Sequence, residues 1–119
     1  MTFVTLFKGD VGGINVSLTA STDANGPLQV SGSDMGKAVE KWFHSSEYEY
    51  NLIIAAEHKE ALVNAFLAEV TDKAVNDNLD ILLIDLIRRK FEGDPSAYTK
   101  LDDFCQRNNI PTERFTWSS

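Results

Sequence analysis

The sequence predicts an α+β fold: one mainly antiparallel sheet of about five strands with three to four helices packed on it, in the order β-β-β-α-β-α-α-α-β. Three observations lead there. Period-two apolar patterns crowd the first third of the chain, and helical spacing dominates from residue 57 onward. The two kinds of pattern are also partly segregated, instead of alternating as they would around a parallel sheet. The 119 residues suit a single domain, 1–119, long enough to bury a core without disulfides or a structural metal.

Phe3 to Phe7 is a short apolar run with β-branched residues, and Ile14, Val16, Leu18 and Ala20 alternate with Asn15, Ser17 and Thr19. Gly9-Asp10-Val11-Gly12-Gly13 has turn chemistry, so the two runs read as a hairpin. A second turn cluster, Asp23-Ala24-Asn25-Gly26-Pro27, precedes a third short strand, Leu28 to Ser31, which completes a meander. In Gly32-Ser33-Asp34-Met35-Gly36, Ser33 or Asp34 is placed to cap a helix. Met35, Val39, Trp42 and Phe43 then fall at helical spacing, which predicts a helix of about two turns over Lys37 to His44.

Ser45-Ser46 leads into the clearest strand. There Tyr48, Tyr50, Leu52 and Ile54 share one face while Glu49 and Asn51 share the other. Glu57 to Val70 places Leu62, Val63, Phe66, Leu67 and Val70 on one helical stripe. Leu79 to Phe91 does the same with Leu79, Leu82, Leu83, Leu86 and Ile87, and Ile81 and Ile84 widen the stripe enough to require cover on more than one side. Its last turn, Arg88-Arg89-Lys90, suits the negative end of the helix dipole. Gly93 stops that helix, and Asp94-Pro95 serve as cap and first position of another carrying Tyr98, Leu101, Phe104, Cys105 and Asn108. After Asn109-Ile110-Pro111, a final strand is expected over Glu113 to Ser118, with Phe115 and Trp117 facing inward.

Charge and composition narrow the function classes. The net charge is −7, and residues 37–78 alone carry four lysines against eight acids. Such a field repels nucleic acid and anionic membrane and speeds encounter with basic partners, although it also serves plain solubility. The only basic run is Arg88-Arg89-Lys90, so a nucleic-acid interface is not expected. The first residues lack the pattern of a signal peptide, and no apolar stretch reaches the ~20 residues of a membrane span, so the expected location is cytoplasmic. The single cysteine, Cys105, lies on an apolar stripe and reads as a buried thiol. His44 and His58 are the only histidines, and neither His-x-x-x-His nor Cys-x-x-Cys spacing occurs, so no metal or cofactor is expected. The Gly32–Gly36 turn lacks the lysine and Ser/Thr of a phosphate loop and the three glycines of a dinucleotide loop, which leaves capping as its role.

The constellation with chemical potential is Glu47-Tyr48-Glu49-Tyr50. Carboxylates at i and i+2 on a strand share a face and lie about 7 Å apart. Such a pair can do acid–base work only in a pocket that separates the two pKa values, and the sequence gives no sign of one. Otherwise it is the solvent face of an amphipathic strand, or part of an acidic binding surface. Glu40, Glu47, Glu49, Glu57 and Glu60 come from one twenty-one-residue stretch, and Trp42 would supply an aromatic anchor inside their charged rim. The candidate partner-binding residues are Glu40, Trp42, Glu47, Glu49 and Glu57.

Gly32-Ser33-Asp34-Met35-Gly36, Ser46-Glu47-Tyr48-Glu49-Tyr50 and the ending Ile110-Pro111 to Phe115-Thr116-Trp117 together resemble small bacterial immunity proteins. These accompany the toxins of contact-dependent growth inhibition and other polymorphic toxin systems. The resemblance covers residues 30–118, and its motifs look structural, not catalytic. It implies a non-enzymatic cytoplasmic protein that binds a cognate toxin C-terminal domain and occludes its active site. Many such toxins are nucleases, whose basic clefts an acidic inhibitor complements. No motif of these proteins fixes the toxin-contacting residues. Two other classes stay open: a small hydrolase or lyase using Glu47, Glu49 and one histidine, and a self-associating subunit, such as a homodimer, joined along an edge at Phe3–Phe7 or Glu113–Ser118.

Overall fold

The computed structural model describes residues 1–36, 47–70 and 76–118. Five strands form one antiparallel sheet in the order β1-β2-β3-β4-β5. They are β1 (Thr2–Val11), β2 (Ile14–Thr22), β3 (Leu28–Met35), β4 (Glu47–Ile54) and β5 (Glu113–Ser118). A 3₁₀ turn, Ala56–His58, and three helices fill the connection from β4 to β5: α1 (Lys59–Leu67), α2 (Leu79–Phe91) and α3 (Ala97–Arg107). This is the expected α+β arrangement. The helix expected over Lys37 to His44 lies outside the described residues.

The strands are longer than their apolar patterns suggested, because ladder hydrogen bonds carry pairing past the last buried side chain. β1 runs through Gly9, Asp10 and Val11, so the hairpin turn shrinks to Gly12-Gly13 at φ 60° and 87°. Positive φ at both turn residues matches the strand twist, and Asp10 Oδ1 closes the turn by accepting from the Gly13 N–H at 3.1 Å. A bulge at Leu6 turns that side chain into the core, and its carbonyl accepts from the Gly93 N–H.

β3 corrects the sequence reading most. The strand expected to end at Ser31 runs on to Met35: Gly32, Ser33, Asp34 and Met35 pair with Tyr50, Glu49, Tyr48 and Glu47 of β4, while the helix that Ser33 or Asp34 was expected to cap lies outside the described residues. Glycine is required there for close approach, since a Cβ on Gly32 would lie 1.8 Å from Cε2 of the Tyr50 ring. Asp34 is likewise engaged within the sheet, accepting from the Tyr50 hydroxyl at 2.8 Å.

Leu18, Ala20, Val30, Leu52 and Ile54 share one sheet face and are fully buried against Leu62, Phe66, Leu83, Ile87, Leu101 and Phe104 of the helices. Phe66 stacks on Phe104 with centroids 4.6 Å apart, joining α1 to α3. Asn78 caps α2, its side chain accepting from the Asp80 and Ile81 amides. α3 starts two residues later than the Asp94-Pro95 signal implies. Asp94 instead closes the preceding turn, with its carboxylate accepting from the Ser96 N–H and its carbonyl from the Ala97 N–H. Lys59 is buried, and its Nζ donates to Thr22 Oγ1, the Asp23 carbonyl and Asp80 Oδ1 at 3.0, 3.0 and 2.7 Å, tying the β2–β3 turn to α1 and α2. No helix among the described residues is long and apolar enough to cross a membrane.

Candidate functional site

Strand alternation makes two surfaces from one tetrapeptide. At the start of β4, Glu47 and Glu49 point away from the helices, while Tyr48 and Tyr50 point toward them.

On the helix-free side, Glu49 hydrogen-bonds to Glu47. That bond, together with some burial and the neighbouring negative charge, holds the Glu49 carboxyl above the usual carboxylate range. Two carboxylates in contact are poised to share a proton or to take up a cation. Met35, opposite Glu47 in the register, is 47% exposed, and Phe115, opposite Asn51, is 50% exposed. Phe115 therefore does not face inward as expected. Arg114 and Thr116, one residue to either side, take the helix side, because β5 pairs Leu52 with Arg114. Between these apolar residues the face is polar: Gln29 Nε2 and Ser31 Oγ both donate to Oδ1 of the buried Asn51.

On the helix side, the tyrosines line a cleft of about 500 Å³ between the sheet and the start of α3, with Asp34, Tyr98, Arg114 and Thr116 in its wall. Tyr50 packs edge-on against Tyr98 at 4.8 Å, and Tyr48 lies 5.9 Å from Tyr50. Burial, and then the hydrogen bond to Asp34, raises the Tyr50 pKa well above the ordinary phenol value, so the Tyr50 hydroxyl stays protonated and donates a hydrogen bond to Asp34. Burial also raises the Tyr98 pKa, with a further contribution from Asp102, and the Tyr98 hydroxyl donates to the Asn51 carbonyl at 3.0 Å. Arg114 donates to Asp102 at 2.8 Å, which balances the positive charge at that end.

The structure brings together only part of the sequence-predicted surface. Glu47 and Glu49 adjoin. Glu57 lies past the far end of β4, roughly 20 Å along the strand from Glu47. There it stands 4.0 Å from His58. Glu40 and Trp42 fall outside the described residues. Sequence reasoning missed Asp34, Tyr98 and Arg114, which meet only through strand pairing and the docking of α3; the glycine at position 32, facing a strand tyrosine, was the one local hint. Among the described residues, no group of three or more His, Cys, Asp or Glu side chains could hold a metal ion. Comparison with protein-family models, with curated proteins and with solved structures finds no match to this chain.

Proposed function

We propose that this chain is an immunity-type protein, which binds a cognate toxin domain in the cytoplasm and neutralises it by occluding a basic active site, such as that of a nuclease. The supporting observation is the Glu47–Tyr50 alternation, which puts a carboxylate pair on one side of a sheet corner and an acidic tyrosine cleft on the other. Both surfaces favour positive charge, and the exposed Phe115 and Met35 add apolar area beside the carboxylates. The arginines and lysines of the helices and β5 are matched with other acids: Asp80, Asp85, Glu69, Asp94, Asp103 and Asp102. Those pairs settle the positive charge of the described helices, and Glu47 and Glu49 engage each other. Acid–base chemistry by these glutamates gains nothing from His58, which sits with Glu57 beyond the other end of β4.

Co-expression with the proposed cognate toxin domain tests the proposal. The expected result is a stable 1:1 complex and restored growth of cells making the toxin. Failure to co-purify, or no rescue, overturns it. Self-association is a second reading, favoured by β5 being an edge strand with Phe115 exposed. Light scattering across a concentration series decides it.

A further inference from the structure

The cleft between β3, β4, β5 and α3 has a chemistry of its own. Three tyrosines converge on it, Tyr48, Tyr50 and Tyr98, and aromatic faces attract cations. Asp34 stands at one end, held in place by the Tyr50 hydroxyl at 2.8 Å. That hydrogen bond uses one of the several acceptor positions of a carboxylate. At the other end, the Arg114 guanidinium is bound to Asp102, so the two charges there cancel and Asp34 leaves the cleft with a negative balance. An anionic ligand would meet Asp34 and an Arg114 already neutralised by Asp102; a cation entering at the other end meets rings and a carboxylate. The available space, about 500 Å³, exceeds what one side chain needs.

We infer that this cleft receives an arginine side chain of a protein partner, with its guanidinium stacked on a tyrosine face and hydrogen-bonded to Asp34. Arginine is preferred to lysine because its planar, weakly hydrated head stacks on rings and presents two parallel donors to a carboxylate. Gly32 fixes the receptor, since the Tyr50 ring occupies the space a Cβ would take and is thereby set beside Asp34. The inference deepens the toxin-binding proposal, for it names the feature of the partner that enters this side of the sheet corner.

The test uses the intact chain and a small probe, Nα-acetyl-arginine amide, in a two-dimensional NMR titration, with the uncharged isostere Nα-acetyl-citrulline amide as the control. The arginine probe is expected to shift Tyr98, Thr99 and Thr116 resonances saturably in the millimolar range, and citrulline is expected to leave them in place. Asp34→Asn should weaken the arginine probe about tenfold, as loss of a charge-assisted contact does. Tyr98→Leu, which removes a ring and leaves the carboxylate, should also weaken it. No saturable shift with the arginine probe, or equal shifts with citrulline, overturns the inference. That outcome would not touch complex formation through Glu47 and Glu49, which co-purification reads separately.

Discussion

Replacing Gly32 with alanine is the sharpest test of how the site is built. In an ordinary strand this change stabilises, by about 0.5–1 kcal/mol, because it restricts the unfolded chain. Here the new Cβ would fall 1.8 Å from Tyr50 Cε2, 2.3 Å from Cζ and 2.6 Å from Cδ2, whereas ordinary contact begins near 3.4 Å. The ring must swing out. It then loses its hydrogen bond to Asp34, worth about 1.5–3 kcal/mol for a charged acceptor, and its edge-on contact with Tyr98, worth about 0.5–1.5 kcal/mol. Because the hydrogen bond is only partly buried, the lower values apply, and after the unfolded-chain gain is subtracted Gly32→Ala should destabilise by roughly 1–1.5 kcal/mol net. Urea unfolding measures this, and a cycle with Tyr50→Ala isolates the cause. With the ring gone, the same alanine should be neutral or mildly stabilising. A neutral Gly32→Ala in the parent chain, or an undiminished cost beside Tyr50→Ala, would refute the packing argument.

Lys59→Met removes three hydrogen bonds and strands Asp80, which is only 15% exposed; unfolding should become easier by about 3 kcal/mol, and adding Asp80→Asn should recover part of that. Cys105, buried and with its thiol pushed up to about 12 chiefly by burial, should resist alkylation in the native state and react at the rate of global opening; fast native labelling would contradict this. Glu49 holds its proton at pH values where an ordinary glutamate has lost it, so the folded state gains from that proton at low pH and loses the gain as pH rises through the raised value. Binding of a basic partner should therefore strengthen over the same rise and release a proton. Calorimetry in buffers of different ionisation enthalpy reads that release, and Glu49→Gln should abolish it.

The middle of the sheet was legible because β2, β3 and β4 obey the period-two rule on their buried face, from Val16, Leu18 and Ala20 to Leu52 and Ile54. The long helices were legible in their stripes and, for α2, in Gly93. The misreadings share one cause: a local signal was outvoted by tertiary contact. Gly32-Ser33-Asp34 carries turn chemistry, yet the strand continues through it, because the Tyr50 ring needs a glycine beneath it and the Tyr50 hydroxyl donates to Asp34. Phe115 is apolar and was assigned to the core, but the β4–β5 register puts Arg114 opposite Leu52 and so turns Phe115 outward. Of the acidic surface, Glu47 and Glu49 were legible because strand geometry alone sets i and i+2 together. Glu57 was not, since proximity in sequence says little once a whole strand intervenes. The cleft was invisible for the same reason, as its walls come from β3, β4, β5 and α3.

On the proposed function, negative charge at the start of β4 recruits a basic protein surface. Stopped-flow association of the chain with the toxin domain proposed as its partner, at several salt concentrations, reads this charge dependence. Glu47→Gln/Glu49→Gln should slow association about tenfold at low salt and flatten its salt dependence, while Glu92→Gln, on the α2–α3 turn, should do neither. Equal rates and equal salt slopes for all three proteins would contradict it.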